Sequence, residues 1–280
     1  MTAELIVGVN KLLYWVGLPA AVFHTLVSAG SGGTGFGGLL IALVGATLIT
    51  AAIGWTSAPL AGISAAGRGT FVQAAFRGNL SFIALPLLLT VPGVPLAQAM
   101  WAVAPMIILN NALTVVVLAV SQSRGQGNLV TTTALQIGQN PIIIAAVGGM
   151  VFSQLGWDIP EAIGTTLQAL GRMSLPLALL CIGAALMTVP VSGNRAQAGL
   201  AAIYKVALSP IIGYGLGRWL GLDDAAMLAL LICLACPTAA ISYTVAKQMG
   251  GDEALAATAV VLSAVASAIS LGVVIAVFAV

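Results

Sequence analysis

The sequence has very little charge. Only 6% of its 280 residues are Asp, Glu, Lys or Arg, whereas 60% are hydrophobic, and the mean hydropathy is +1.11. A soluble domain carries about 25% charged residues, so a chain of this composition cannot cover a surface that faces water. The net charge of +2 provides no basic patch that would indicate a nucleic-acid partner. The composition therefore indicates an integral membrane protein.

Groups that could perform chemistry are also scarce. All seven carboxylates lie in loops or at the ends of apolar runs, so none is available at mid-membrane to carry a proton or ligate sodium. Cys181, Cys233 and Cys236 lie inside apolar runs, which argues against a disulfide framework. No phosphate-binding loop and no nucleophile with a partner base occur in the sequence. We therefore expect no cofactor, no metal site and no enzymatic activity.

Long apolar runs dominate what is present. Nine of them are long enough to span a bilayer, which takes roughly 20 residues per crossing. Backbone groups in lipid must be satisfied within the segment, so each run is predicted to be a helix. The predicted fold is an all-α integral membrane protein with about nine transmembrane helices. The runs are 7–28, 37–57, 70–90, 96–120, 133–153, 161–188, 197–219, 224–248 and 254–279.

The loop charges predict the orientation. With the N-terminus in the cytoplasm, five basic residues lie on the inner side and only Arg218 on the outer side, which satisfies the positive-inside rule. We therefore expect a multi-pass protein of the cytoplasmic membrane with its C-terminus outside. The five inner residues are Lys11, Arg68, Arg124, Arg195 and Lys247.

The two halves of the chain are related. Asn79 and Cys236 interrupt two apolar runs and lie 157 positions apart, and Pro19 and Pro176 have the same separation. This shift lays the first four helices on the last four with opposite direction, which predicts an inverted repeat. The fifth helix has no partner, so we expect a ten-helix unit without its first helix, because of either an internal start codon or a natural loss. The predicted parts are a first repeat 1–121, a cytoplasmic linker 122–132 and a second repeat 133–280.

The third and eighth runs carry helix-breaking residues near their middle. Gly78 weakens the third helix and Pro86 removes a backbone donor, so the stretch between them is predicted to unwind, and Pro237 breaks the eighth. If the interruptions cross, four half-helix ends converge, and free N–H groups there suit an anion. The alternative is that the prolines only kink packed helices. The candidate substrate-binding residues of this crossing are Asn79, Ser81, Pro86, Cys236, Pro237, Thr238 and Ser242.

Three basic residues fall within apolar runs: Arg77, Arg172 and Lys205. An ionisable residue inside a membrane indicates function, and here the missing counter-charge would be an anionic substrate such as a carboxylate. The alternative is that the side chains reach the headgroups, since Arg77 and Lys205 lie about 10–14 Å from their cytoplasmic ends and Arg172 would lie at the outer boundary if 161–171 is interfacial. We retain Arg77 and Lys205 as candidate site residues.

The remaining deep polar residues are interpreted mainly as packing. Asn110, Asn111 and the pair Gln139–Asn140 are expected to form interhelical hydrogen bonds, although Asn110 is kept as a further candidate substrate-binding residue. His24, the single histidine, is expected to be a hydrogen-bonded residue near the outer end of the first helix and not a proton relay.

At these motifs the chain resembles the auxin efflux carrier family, which includes plant auxin exporters and bacterial malonate-type transporters. The resemblance implies two inverted five-helix repeats, a scaffold part and a transport part, organic anion substrates and a homodimer through the scaffold. It also implies that Asn79 is the asparagine of the first crossing helix and Pro237 the proline of the second. The chain departs from the family by lacking its first helix. The motifs are 10–13 with 17–23, 76–87, 205–210 and 236–246.

Together these observations predict a secondary carrier for a small organic anion, working by alternating access around the crossing of 70–90 and 224–248. Sodium-coupled bile-acid-type symporters share the expected architecture and are the nearest alternative, although their acidic sodium ligands are not evident. An alternative from another class is a non-transporting membrane sensor that binds the ligand.

Overall fold

The computed structural model describes residues 3–28, 35–122, 139–174, 176–177, 180 and 194–279. Regular structure in this part of the chain is helical, apart from one isolated β-bridge. Three single π-helical turns, Leu13–Gly17, Leu80–Ala84 and Tyr204–Leu208, join consecutive helices. The α-helices are α1 Ala3–Leu12, α2 Leu18–Ser28, α3 Phe36–Ser57, α4 Ala65–Phe76, α5 Leu85–Thr90, α6 Leu96–Gln122, α7 Pro141–Leu155, α8 Glu161–Arg172, α9 Arg195–Ile203, α10 Ser209–Trp219, α11 Asp224–Ala235, α12 Ile241–Gln248 and α13 Glu253–Phe278.

Among the described residues, four helices are long and apolar enough to cross a membrane, and four shorter helices are also apolar. The long ones include Arg195–Trp219, in which α9 and α10 form one helix. The number of nine spans remains a prediction. Most of the predicted linker and the start of the fifth run fall in 123–138, outside the described residues. The predicted helix 161–188 is not continuous as far as it is described, because α8 ends at Arg172.

Each π-helical turn lies just before a proline. Leu13–Gly17, Leu80–Ala84 and Tyr204–Leu208 end two residues before Pro19, Pro86 and Pro210. In each case the residue that precedes the proline donates its N–H across the wider turn. A proline inside an α-helix lacks a donor and its ring clashes with the carbonyl one turn back, and a wider turn relieves that clash. These prolines therefore lie within continuous helical segments.

The break of the third predicted helix is shorter than expected. Only Arg77, Gly78 and Asn79 are non-helical, because the π-helical turn starts at Leu80. The prediction of an unwound stretch from Gly78 to Pro86 is therefore wrong in extent. Pro86 is buried near the start of α5 and follows the wider turn without a break.

The two interruptions lie side by side. Gly78 and Thr238 form an antiparallel bridge, in which the Asn79 N–H donates to the Pro237 carbonyl at 2.8 Å and the Ala239 N–H donates to the Arg77 carbonyl at 3.0 Å. Backbone groups freed by one interruption are thus satisfied by the other, as an apolar environment requires. The prediction that both helices are interrupted and meet at their interruptions is confirmed.

Further bonds hold the crossing on either side of the bridge. The Thr238 hydroxyl donates to the Ala74 carbonyl at 2.7 Å, and its N–H donates to the Ser263 hydroxyl at 3.0 Å. The Gln73 side-chain amide donates to the Ser242 carbonyl at 3.0 Å. Nearly all of α4 and α11 is buried. The half-helices α4 and α11 therefore lie in the interior of the bundle.

Gly78 has no room for a side chain. A Cβ there would lie 2.8 Å from the Cys236 sulfur and 3.2 Å from Cε of Lys205. We expect Gly78→Ala to destabilise the protein by about 1–3 kcal/mol, the usual cost of overpacking, with a lower unfolding midpoint for the purified protein in detergent. Gly215→Ala is the matched control, because a Cβ added at Gly215 would meet no atom within 4 Å. Equal midpoints for the two variants would contradict the close approach.

Candidate functional site

A cavity of about 410 Å³ lies against the crossing. Extended backbone from both interruptions forms one wall, and side chains from the first helix, α6 and the start of α7 form the others. Its polar side chains include one guanidinium, several amides and the hydroxyls of Tyr14 and Ser81, which offer donors to an acceptor. The lining residues are Tyr14, Trp15, Arg77, Gly78, Asn79, Leu80, Ser81, Phe82, Ile107, Asn110, Asn111, Gln139, Asn140, Ala239, Ala240 and Ile241. We call this the crossing cavity.

Arg77 is the charged residue of this cavity. It is only 4% exposed, and its Nη2 donates to the amide oxygen of Asn111 at 2.6 Å. Its Nη1 is buried and has no hydrogen-bond partner among the described residues. The side chain thus faces α6, which argues against reaching the headgroups. A buried guanidinium with one unpaired nitrogen, here Nη1, attracts an anionic acceptor.

Amide side chains from three elements accompany Arg77. The Asn79 amide oxygen accepts the Phe82 N–H at 3.2 Å and so caps the turn that follows the break, which leaves its amide nitrogen unused by that bond. The Asn110 amide oxygen is buried and has no partner among the described residues. Asn140 caps α7 by accepting the Ile142 N–H at 2.9 Å. The cavity wall therefore presents polar groups of both kinds, an unpaired acceptor on Asn110 and an amide nitrogen on Asn79 that can donate.

The half-helix ends at the crossing are not equivalent. At the carboxyl end of α11, the carbonyls of the last turn are occupied by protein donors: Cys236 N–H donates to Ile232, the Cys236 thiol to Cys233, and the Ser270 hydroxyl to Ala235. In contrast, the residues that begin the second half-helices, Leu80 and Ile241, line the cavity. The carboxyl end of α11 is thus covered by donors, whereas the first residues of the second half-helices border the cavity.

Lys205 completes the cover over the end of α11. It is 1% exposed and its ammonium donates to the Leu234 carbonyl. It lies in the π-helical turn between α9 and α10, with its Cε 3.2 Å from a Cβ built on Gly78, and it does not line the cavity. A cation at a helix carboxyl end offsets the dipole there. The geometry therefore assigns Lys205 to the support of the crossing and not to the cavity wall.

The structure brings together only part of the predicted site. Of the predicted substrate-binding residues, four line the crossing cavity: Arg77, Asn79, Ser81 and Asn110. The other candidates do not. Thr238 and Ser242 are buried, with the Thr238 hydroxyl bonded to the Ala74 carbonyl, and the Cys236 thiol packs against Gly78. The candidates outside the cavity are Pro86, Lys205, Cys236, Pro237, Thr238 and Ser242.

Sequence reasoning missed several residues of the cavity. Tyr14 and Trp15 lie in the π-helical turn Leu13–Gly17. The Tyr14 ring stacks on Phe82 with centroids 5.9 Å apart. Asn111, Gln139 and Asn140 were interpreted as interhelical contacts. The available signal was the presence of three amide-bearing positions in apolar runs, whereas nothing in the sequence distinguished the two aromatic residues from packing.

Two interrupted helices that meet beside a polar cavity, within a bundle of apolar helices, are characteristic of membrane transporters. A family model described as "Membrane transport protein" matches residues 2–275. The chain belongs to this family, which corresponds to the auxin efflux carrier resemblance found in the sequence. It is therefore an integral, multi-pass membrane transporter and not an enzyme. A comparison with curated proteins finds no match.

A substitution of Lys205 tests whether this residue stabilises the crossing or binds a ligand in the cavity. Lys205→Met keeps the length of the side chain but removes the donor of the Leu234 carbonyl, so we expect a loss of about 1–3 kcal/mol of unfolding free energy, measured as a lower unfolding midpoint. The affinity of the folded fraction for a ligand of the crossing cavity should change little. Lys247→Met is the control, because Lys247 forms an exposed pair with Glu253. A variant with normal stability and lost affinity would instead place Lys205 in the site.

Proposed function

We propose that the protein is a secondary carrier for a small organic anion such as a carboxylate, working by alternating access around the crossing. The observation that carries this proposal is Arg77, a buried cation in the wall of a cavity without a counter-charge among the described residues. The ion pairs among the described residues are Arg218–Asp224 and Lys247–Glu253, and both are exposed.

The energetics of Arg77 favour an anionic ligand. Removing a guanidinium from water costs several kcal/mol unless a charge partner and hydrogen bonds compensate. Asn111 supplies one neutral acceptor, which offsets only part of this cost. A carboxylate that accepts from the free Nη1 would supply both the opposite charge and a second hydrogen bond.

The size and chemistry of the cavity favour a small substrate. A volume of about 410 Å³ is near the lower end of the usual range for ligand sites, about 300–1,000 Å³. The amides of Asn79 and Asn110 can orient a second polar group, and Tyr14 and Phe82 can contact a short apolar part. Mono- and dicarboxylates of a few carbon atoms have these features.

The proposed carrier lies in the cytoplasmic membrane with its N-terminus inside, as the loop charges favour. Exposed apolar side chains on α3, α7, α10 and α13 suit contact with lipid, and examples are Ile41, Val147, Ile211 and Ile269. A homodimer through the scaffold helices is the assembly that the family resemblance favours.

Counterflow tests this proposal. Purified protein in liposomes preloaded with an unlabelled carboxylate should accumulate the labelled anion from outside, in a saturable manner, once a thermal-shift screen of mono- and dicarboxylates has identified a ligand. Binding without exchange would overturn the carrier and support the sensor. Exchange that requires sodium would favour the bile-acid-type symporter.

Arg77→Gln tests the role of the charge. We expect the affinity for a carboxylate to fall by about 10- to 100-fold, since a charge-assisted hydrogen bond of about 1.5–3 kcal/mol is lost, whereas a neutral amide analogue should lose much less. Arg218→Gln, which removes an exposed arginine outside the cavity, should bind both ligands normally. An equal loss for the carboxylate and the amide in Arg77→Gln would indicate a structural role instead.

A further inference from the structure

A second cavity, of about 470 Å³, lies between α2, α5 and α8. It shares no lining residue with the crossing cavity, but both border the segment 80–90: the crossing cavity contacts Leu80–Phe82, and this one contacts Pro86, Leu89 and Thr90. We call it the α2–α8 cavity. Its other lining residues are Ala21, His24, Thr25, Ser28, Leu96, Ala97, Gln168, Gly171, Arg172 and Ser174.

The polar groups of the α2–α8 cavity suit an anion. Arg172 is exposed into it and forms no ion pair with a described residue, and no carboxylate lines it. Ser174 is only 1% exposed, and its hydroxyl has no partner among the described residues. A buried hydroxyl left without a partner is costly, so it is an independent indication of a ligand. His24 and Gln168 add further hydrogen-bonding groups.

The wall that carries these groups is rigidly placed. A Cβ on Gly171 would lie 2.9 Å from Cβ of Ala21, so α8 packs directly on α2 at that point. A Cβ on Gly17 would lie 3.1 Å from the Ser174 hydroxyl oxygen, so Ser174 packs closely on the π-helical turn Leu13–Gly17. This packing places the backbone of Arg172 and Ser174 on one side of the cavity, which limits the backbone reorganisation needed for binding.

We propose that the α2–α8 cavity is a second anion-binding site, in which a carboxylate contacts the Arg172 guanidinium and the Ser174 hydroxyl. Both cavities border the segment 80–90. This inference takes one thing from the proposed function, namely that the substrate is a small carboxylate. A competing explanation is that Arg172 merely offsets the dipole at the carboxyl end of α8.

Arginine modification distinguishes these explanations. Phenylglyoxal labelling, followed residue by residue by mass spectrometry, measures the reactivity of Arg172 in purified full-length protein. Malonate is expected to slow labelling of Arg172 about threefold or more, because a bound carboxylate occupies the guanidinium donors. Malonamide, the neutral analogue, should not protect it. Arg218, an exposed arginine on another helix, is the internal control and should label at the same rate throughout.

Two variants complete the test. In Arg77→Gln, malonate should still protect Arg172, because the two cavities are separate. Ser174→Ala removes an unpartnered hydroxyl, so it should keep the unfolding midpoint and raise the malonate concentration for half protection about two- to tenfold, the effect of one lost hydrogen bond. Absence of malonate protection at Arg172, or its loss in Arg77→Gln, would overturn the second site.

The outcomes separate this inference from the proposed function. Normal counterflow without protection at Arg172 would remove the second site and leave the carrier. Protection at Arg172 in a protein that does not exchange anions would keep the site and remove the carrier.

Discussion

The constraint on which the structure depends is the satisfaction of backbone groups where two apolar helices are interrupted. In a membrane, water cannot supply the missing hydrogen bonds, so each break would cost several kcal/mol for every unpaired group. The protein removes this cost by pairing the breaks with each other through Asn79, Pro237, Arg77 and Ala239. The crossing is therefore a cooperative unit, since neither interruption is satisfied without the other.

The crossing also gives the helix ends around the cavity different surroundings. The carboxyl end of α11 is covered by Cys236, Ser270 and the Lys205 ammonium, whereas Leu80 and Ile241 begin their half-helices at the cavity wall. Arg77 lies on the same side as these positive ends. The proposed selectivity for anions therefore rests on the position of these helix ends as well as on the Arg77 side chain.

The sequence predicted the interruptions well because glycine and proline act through the local backbone. Gly78 and Pro237 could be located without tertiary information, and Arg77 and Asn79 lay beside them in the third apolar run. The direction in which side chains point could not be predicted in the same way. The second interruption spans 236–240, where helical periodicity no longer predicts the direction of a side chain, and Thr238 and Ser242 are both buried. Lys205 could be recognised as a buried cation, but its acceptor is 29 residues away in the chain, a contact that periodicity does not encode.

The π-helical turns before Pro19, Pro86 and Pro210 have a consequence for chain length. Each such turn contains one residue more than an α-helical turn and takes up that extra residue locally. Deleting a single residue from it would therefore regularise the helix and leave the residues downstream in nearly the same phase, whereas the same deletion in regular α-helix would rotate them by about 100°. In the segment 80–90, Pro86 and Thr90 would thus keep their place at the α2–α8 cavity after such a deletion, so the wider turn gives this part of the helix a tolerance to the loss of one residue that regular helix lacks.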